Sequence, residues 1–308
     1  MASNTLVAGV VRIGQAVQPV INLLRDHLLD SDLVYGDETT VQVLKEPGRK
    51  AQTKSYMWAQ INGPGTGPPV RLFAYAPGRG TVHAEKLYAG IRPDAALVTD
   101  GYEVYNGIAR AGGLTHLGCW VHARRPFIEA EEALPKAARS PDQIASRFVR
   151  LIGKLYRAEA LAKDWKSARR LRLRVRCSAG VVREIERLLL AHLHAVAPSS
   201  LLGEALHYLH GQWPKLVRFL ENGAWPLDSN PVENAIRPFV VGRRSWLFAD
   251  TVGGANASAN LYSLIETAKA NGIEPYGYLV ALFRKLPLAK TVDDYEALLP
   301  WNIELGAV

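Results

Sequence analysis

Two runs of proline and glycine set the strongest limit on what this chain can fold into. Pro47-Gly48-Arg49-Lys50 and Gly63-Pro64-Gly65-Thr66-Gly67-Pro68-Pro69 cannot continue a helix or a central strand, because proline lacks the amide donor and glycine gives up the most backbone entropy on ordering. Between and after them lie Ser55 to Ile61 and Val70 to Ala76, too short for stable helices and rich in aromatic and apolar side chains. With Leu33 to Tyr35 ahead of the first break, the pattern predicts three strands in an opening antiparallel meander. Thr81 to Ile91 then reads as a short helix with Thr81 as its cap, and Ala95 to Thr99 as a fourth strand. The order is β-β-β-α-β, which makes this an α/β chain.

Ahead of the meander, residues 1–31 form a helical lead-in. Val10, Ile13 and Val17, then Val20, Ile21, Leu24 and Leu28, fall at helical spacing around a break before Pro19. After it, Leu114 to Cys119 reads as a further strand-like element that leads into a helix from about Val121 to Glu131. Residues 132–222 carry no strand pattern. Ile144, Phe148, Leu151, Ile152 and Leu155 form one apolar stripe and Val182, Ile185, Leu188, Leu189 and Leu190 another, so this stretch is expected as a helical insertion within a domain spanning 32–308. A helix starts at Asn230-Pro231 and is expected to end or kink at Pro238. Gly253-Gly254-Ala255 is expected as a loop before a helix from Ala259 to Asn271. It lacks the lysine-serine or lysine-threonine pair of a phosphate-binding loop. A last helix spans Pro275 to Lys285, and Asp293, Asp294 and Glu296 suit a helix start.

A formal net charge of +8 and a pI near 9.5 favour a polyanionic partner, nucleic acid before a membrane surface. Cys119 and Cys177 cannot make a disulfide framework and lack zinc-type spacing, which points to a reducing cytoplasm. No secretory leader or membrane span is legible. His207 and His210 share a helix face, yet no cysteine or carboxylate accompanies them at a zinc-site spacing, and they read as surface or packing residues.

Three acidic residues stand out. Asp37 follows the strand-like run Leu33 to Gly36, Asp100 follows Ala95 to Thr99, and Glu233 lies in the first turn of the helix that Asn230 caps. Glu233 alone is explained by a capping box. Two strand-end aspartates together with a helical glutamate are also the donor set of a two-metal phosphoryl-transfer site. Basic groups accompany them. His122, Arg124 and Arg125 cluster at one helix start, Arg169, Arg170 and Arg172 lie in a longer run with Lys166, Arg174 and Arg176, and Arg237, Arg243 and Arg244 follow Glu233. Each can be a solvated face or a set of phosphate contacts.

The phrases Gly36-Asp37-Glu38-Thr39, Thr99-Asp100-Gly101-Tyr102, Gly118-Cys119-Trp120-Val121-His122-Ala123-Arg124-Arg125, Asn230-Pro231-Val232-Glu233-Asn234-Ala235-Ile236-Arg237-Pro238 and Leu261-Tyr262-Ser263-Leu264-Ile265-Glu266-Thr267-Ala268-Lys269 recur in one order. In this ordered set the chain resembles transposases of the insertion sequence 66 family, among the DDE recombinases. The resemblance implies a ribonuclease-H-like (integrase-type) catalytic domain, a mixed sheet flanked by helices, in which Asp37 and Asp100 lie on neighbouring strands. It also implies a bacterial DNA transposase in which Asp37, Asp100 and Glu233 hold two Mg²⁺ ions, with Mn²⁺ as a substitute, for strand cleavage and strand transfer. Implied partners are double-stranded DNA, a second copy of the chain and accessory proteins of the same element. Asp228 and Asn230, beside Glu233, are candidates for orienting it or for capping alone. Other DDE families place an arginine four residues before the glutamate and a basic residue seven after it; here Ser229 and Val240 stand there, so those roles pass to Arg237, Arg243 or Arg244. Two rival functions use the same residues: a ribonuclease-H-like nuclease, and a non-catalytic DNA-binding remnant of a truncated element.

Overall fold

The structure is a computed structural model and describes residues 3–305. It divides into two compact units, one made of residues up to 97, 103–115 and 231 onward, the other of 98–102 and 116–230.

The first unit opens with α1 (Ser3–Ala16) and α2 (Gln18–Leu29), broken at Val17. β1 (Leu33–Lys45), β2 (Lys54–Asn62) and β3 (Arg71–Ala76) follow, then α3 (Thr81–Tyr88), β4 (Ala96–Val98), α4 (Val104–Gly112) and β5 (Thr115–Leu117). β1 pairs antiparallel with β2 from Val34↔Asn62 to Gln42↔Lys54, and β2 with β3 from Tyr56↔Ala76 to Ile61↔Arg71. The strand order is β3-β2-β1-β4-β5. β1 is much longer than the three residues expected, because Thr39, Val41 and Val43 continue the β-branched pattern of a strand; β2 pairs with it as far as Gln42, and Val43 pairs with Ala249 instead. Asp37 therefore sits inside a strand, not at its end.

In the second unit α5 (Trp120–Glu132), α6 (Ile144–Leu161), α7 (Ser167–Leu173), α8 (Ala179–His192) and α9 (Leu201–Leu216) surround a core that includes Trp120, Phe127, Phe148, Ile152, Leu155, Ile185 and Leu206, all nearly inaccessible. A π-helical turn over Arg174–Ser178 joins α7 to α8.

The chain returns to the first unit through α10 (Asn230–Trp246), β6 (Ala249–Thr251), α11 (Val252–Ala270), α12 (Pro275–Lys285) and α13 (Val292–Glu296). α10 does not end at Pro238: burial of Val232, Ala235, Ile236 and Phe239 on one face outweighs the single backbone bond that the proline cannot donate. The expected loop at Gly253-Gly254-Ala255 is instead the first turn of α11, where the Thr251 hydroxyl accepts from the Gly254 amide at 3.1 Å. α11 and α1 approach too closely there for larger residues: a Cβ on Gly14 would lie 2.4 Å from the Cβ of Ala257. Asn260 Nδ2 donates to the Gly14 carbonyl at 2.7 Å. β6, which no sequence pattern marked, adds to β1 in parallel, Val43↔Ala249 and Lys45↔Thr251.

α11 also closes the edge of the sheet. β3 is the outer strand, and its unpaired groups are taken up by Ser263 and Thr267, one helical turn apart. Ser263 Oγ accepts from the Phe73 amide at 2.7 Å, and Thr267 Oγ1 accepts from the Arg71 amide at 3.0 Å and donates to its carbonyl at 3.1 Å. Two hydroxyls at helical spacing thus stand in for a seventh strand. No single helix among the described residues is long and apolar enough to cross a membrane.

Candidate active site

Asp37 faces Ala59 across the β1–β2 ladder, half-buried, and its Oδ1 accepts from the Glu38 amide at 2.8 Å. Because successive strand residues point to opposite faces, Glu38 enters the interior. There its Oε2 accepts from the Tyr105 hydroxyl at 2.5 Å and its Oε1 from Arg79 Nη2 at 2.7 Å, with the side chain only 3% exposed. Tyr105 packs edge-on against Trp58 and Tyr88, at 6.1 and 5.7 Å between ring centres. Burial first, then the neighbouring Tyr88 and the Glu38 carboxylate, push its phenol well above the ordinary range. Gly36 lets the strand pass under this cluster, since any Cβ would fall 1.9 Å from the Tyr88 hydroxyl. The Gly36-Asp37-Glu38 run is thus a tight passage, a candidate ligand and a buried anchor in sequence.

Glu233 sits half-buried in the first turn of α10. Near the other end of that helix Arg243 Nη1 donates to the Thr39 and Thr40 hydroxyls, both at 3.0 Å, and to the Thr40 carbonyl. The helix that bears Glu233 is thereby tethered to the strand that bears Asp37. Arg243, expected among the DNA contacts, is engaged by the sheet. Burial, then the charge of Arg244, lowers its pKa from the usual value. Arg237 and Arg244 are exposed.

Asp100 follows β4 in the second unit, and its Oδ1 accepts from the Tyr102 amide at 2.9 Å. The preceding Thr99 hydroxyl donates to the Asp100 carbonyl at 3.0 Å and lies 2.8 Å from His116 Nε2. One hydroxyl proton cannot serve both, so the imidazole is the donor to Thr99. Burial first, then Lys215 and Arg218, hold His116 down at a pKa of about 3, a neutral ring at physiological pH.

α9 lies over this turn. A Cβ on Gly101 would come 2.6 Å from the Tyr208 hydroxyl and 3.1 Å from Gln212 Nε2. Burial, then the Asp100 charge, raises the Tyr208 pKa, while burial lowers Lys215 and Asp100 opposes that shift. Tyr208, Gln212 and Lys215 fall at i, i+4 and i+7, one face of α9. That spacing was present in the sequence, but nothing in it said which loop the face would meet.

The remaining candidates divide by their partners. Asp228 Oδ1 accepts from the Asn230 amide at 3.0 Å, bracing the start of α10. Near it the Ser229 amide donates to the buried Cys119 thiol at 3.4 Å, whose pKa burial pushes up. His122, Arg124 and Arg125 lie in the first two turns of α5, with Arg125 exposed and the other two half-buried. In the longer basic run, Arg170 donates to the carbonyls of Ala162, Lys163, Trp165 and Gly223. Arg174 is fully buried, forked onto Glu159 at 2.8 and 2.7 Å and bonded to the carbonyls of Phe219, Asn222 and Trp225. Arg169, stacked 3.9 Å over Trp165, and Arg172 face solvent. What looked like one basic stripe therefore contains two structural arginines, Arg170 and Arg174.

Asp37 and Glu233 belong to the first unit and Asp100 to the second. All three offer oxygen, the donor that Mg²⁺ and Mn²⁺ prefer. On both aspartates a backbone amide bonds one carboxylate oxygen, which leaves the other oxygen of each to other partners.

Residues 1–257 match the profile of the transposase IS66 family, and residues 263–301 that of the IS66 C-terminal element. Among curated proteins, the uncharacterized proteins y4qI and y4jD of Sinorhizobium fredii (strain NBRC 101917 / NGR234) are each 30% identical, over 96% and 94% of this chain. A third, y4hP of the same organism, is 27% identical over 98% of it. The chain spans 55–57% of the length of these relatives. With matches over nearly its whole length, the chain belongs to the IS66 transposase family.

Proposed function

We propose that this chain is the catalytic part of a DNA transposase that cleaves strands at the ends of a mobile element and joins them to target DNA. The observation that carries the proposal is the coincidence of a transposase family profile with Asp37 and Asp100, on and after adjacent strands, each with a carboxylate oxygen pinned by a main-chain amide. The antiparallel opening β1-β2-β3 and the place of β4 beside β1 support reading the sheet as ribonuclease-H-like.

In this reading Asp37, Asp100 and Glu233 would together hold two Mg²⁺ ions. Bound there, the pair supplies Lewis-acid stabilisation of the attacking and leaving oxygens of a phosphodiester. The chain's own residues do the positioning. Glu38, clamped by Arg79 and Tyr105, fixes the backbone at Asp37 so that its carboxylate stays on the opposite face. Arg243 holds the glutamate helix to the same strand, and Asp228 braces its start. Gly101 lets Tyr208 and Gln212 close over the Asp100 turn. Arg237 and Arg244, exposed on α10, and Arg124 and Arg125 on α5 take DNA phosphates, and Arg169 and Arg172 extend that basic surface. Paired element ends call for at least two copies of the chain, and partner proteins of the same element supply further recognition.

Calorimetric titration with Mn²⁺ tests the proposal without knowledge of the DNA sequence. Wild type is expected to bind, and Asp37→Asn and Glu233→Gln each to bind at least tenfold more weakly. Equal binding by all three returns Glu233 to a helix cap. Joining of a supplied 3′-hydroxyl end to target DNA then separates a transposase from a nuclease that uses water alone.

A further inference from the structure

The helical unit contains a cavity of about 390 Å³ between α5 and α6, lined in part by two of the arginines assigned above to DNA phosphates. Val121, Arg124, Arg125 and Ile128 line it from α5, at i, i+3, i+4 and i+7, one helical face. Gly153 and Tyr156 line it from α6. Its walls are of two kinds: two guanidinium groups, and two aliphatic side chains with an aromatic ring.

Three observations point to a ligand. The Nε of Arg124 is buried and makes no hydrogen bond, although a buried guanidinium normally satisfies its donors. Position 153, on the cavity wall, is glycine, yet packing does not demand one there: an added Cβ would meet only Arg157 Nη1, at 3.6 Å. Glycine inside a helix costs about 1 kcal/mol against alanine, so this one gives up stability and leaves space open. Finally, Tyr156 supplies a flat aromatic wall from the facing helix.

We propose that this cavity takes one nucleotide unstacked from DNA, its phosphate on Arg124 and Arg125 and its base between Tyr156 and the Val121–Ile128 wall. Fixed forks of donors select an anion of phosphate geometry, and the aliphatic and aromatic walls select a planar, weakly polar body. A volume of about 390 Å³ lies at the small end of ligand sites, roughly 300–1,000 Å³, suited to one nucleotide and too small for a duplex. A free nucleotide has the same chemistry; DNA as the source rests on the transposase reading. An enzyme that must bend or fray element ends gains from a pocket that holds a displaced base.

The test compares a twelve-nucleotide thymidine strand with an abasic strand of the same length and charge, so that the electrostatic contribution cancels. Fluorescence anisotropy on the full chain should show the base-bearing strand bound roughly tenfold tighter, the scale of one stacked base. Gly153→Leu should remove that difference and leave abasic binding unchanged. Val121→Met fills the gap from the opposite helix without adding an aromatic face and should do the same if Gly153→Leu fails to fold. Equal binding of the two strands by wild type overturns the proposal, as does a preference that survives in a folded cavity-filling variant. Tight binding of free thymidine monophosphate, without a base-dependent preference in the strands, overturns DNA as the source. Metal-dependent nicking is followed in parallel. A wild type that distinguishes the strands but never nicks sinks the transposase reading and keeps the pocket; nicking without discrimination does the reverse.

Discussion

The sheet-bearing unit buries Glu38 between the Tyr105 hydroxyl and the Arg79 guanidinium; the helical unit buries Arg174 on the Glu159 carboxylate and three carbonyls. Both are charges taken out of water and fully paired, which is the condition under which they are tolerated. They differ in their neighbours. Glu38 adjoins a candidate metal ligand, so its bonds hold the backbone at the site. Arg174 sits within a run of arginines, and its bonds tie a π-helical turn to the segment from Phe219 to Trp225. The same pairing braces a candidate site in one unit and architecture in the other, and charge in the sequence does not distinguish them.

Substitutions that break one network and spare the other sharpen the contrast. The largest effect is expected for Arg174→Ala, which strands Glu159: about 3–5 kcal/mol lost in urea denaturation, with Arg174→Met/Glu159→Leu recovering most of it. Recovery absent from the double variant would show that the carbonyl bonds dominate. Glu38→Ala should cost about 1.5–3 kcal/mol. Glu38→Gln, which can keep the Tyr105 bond, should fold more stably than Glu38→Ala yet bind Mn²⁺ more weakly than wild type. Unchanged Mn²⁺ affinity in a folded Glu38→Gln protein would reduce Glu38 to a purely structural anchor. Gly101→Ala forces Tyr208 aside and should cost about 1–3 kcal/mol. Tyr208→Phe should restore part of that loss by removing the nearest atom.

A further effect concerns acid. His116 has its pKa held at about 3, below the ordinary value of 6.5 that it regains on unfolding. The unfolded state therefore binds more protons between these values. The contribution is full above about pH 6.5 and drains as pH falls toward 3. His116→Asn should flatten thermal midpoints measured across that window; an unchanged slope would assign acid sensitivity to other groups.

Much of the first unit was legible because strand signals are local. The proline and glycine runs bounded β2 and β3, and periodicity located α2 and α12. β6 and the length of β1 were not, since both depend on partners distant in sequence. Reading Gly253-Gly254-Ala255 as a loop failed for a related reason: Thr251 caps the helix and the close crossing with α1 favours small residues there, a fact about packing between distant segments. At the candidate site, Asp37, Asp100 and Glu233 were legible as types in a pattern, whereas Tyr208, Gln212 and Lys215 were not, because α9 meets the Asp100 turn only after folding.

Sequence alone determined the alternation of strands and helices, the three acidic residues and the family resemblance, because each is written in nearby residues or in their order. Tertiary structure alone decided which arginines are spent on carbonyls, that Ser263 and Thr267 close the sheet edge, and that Gly153 lines a cavity. Those outcomes depend on which groups water can still reach, and that is settled only when distant segments pack.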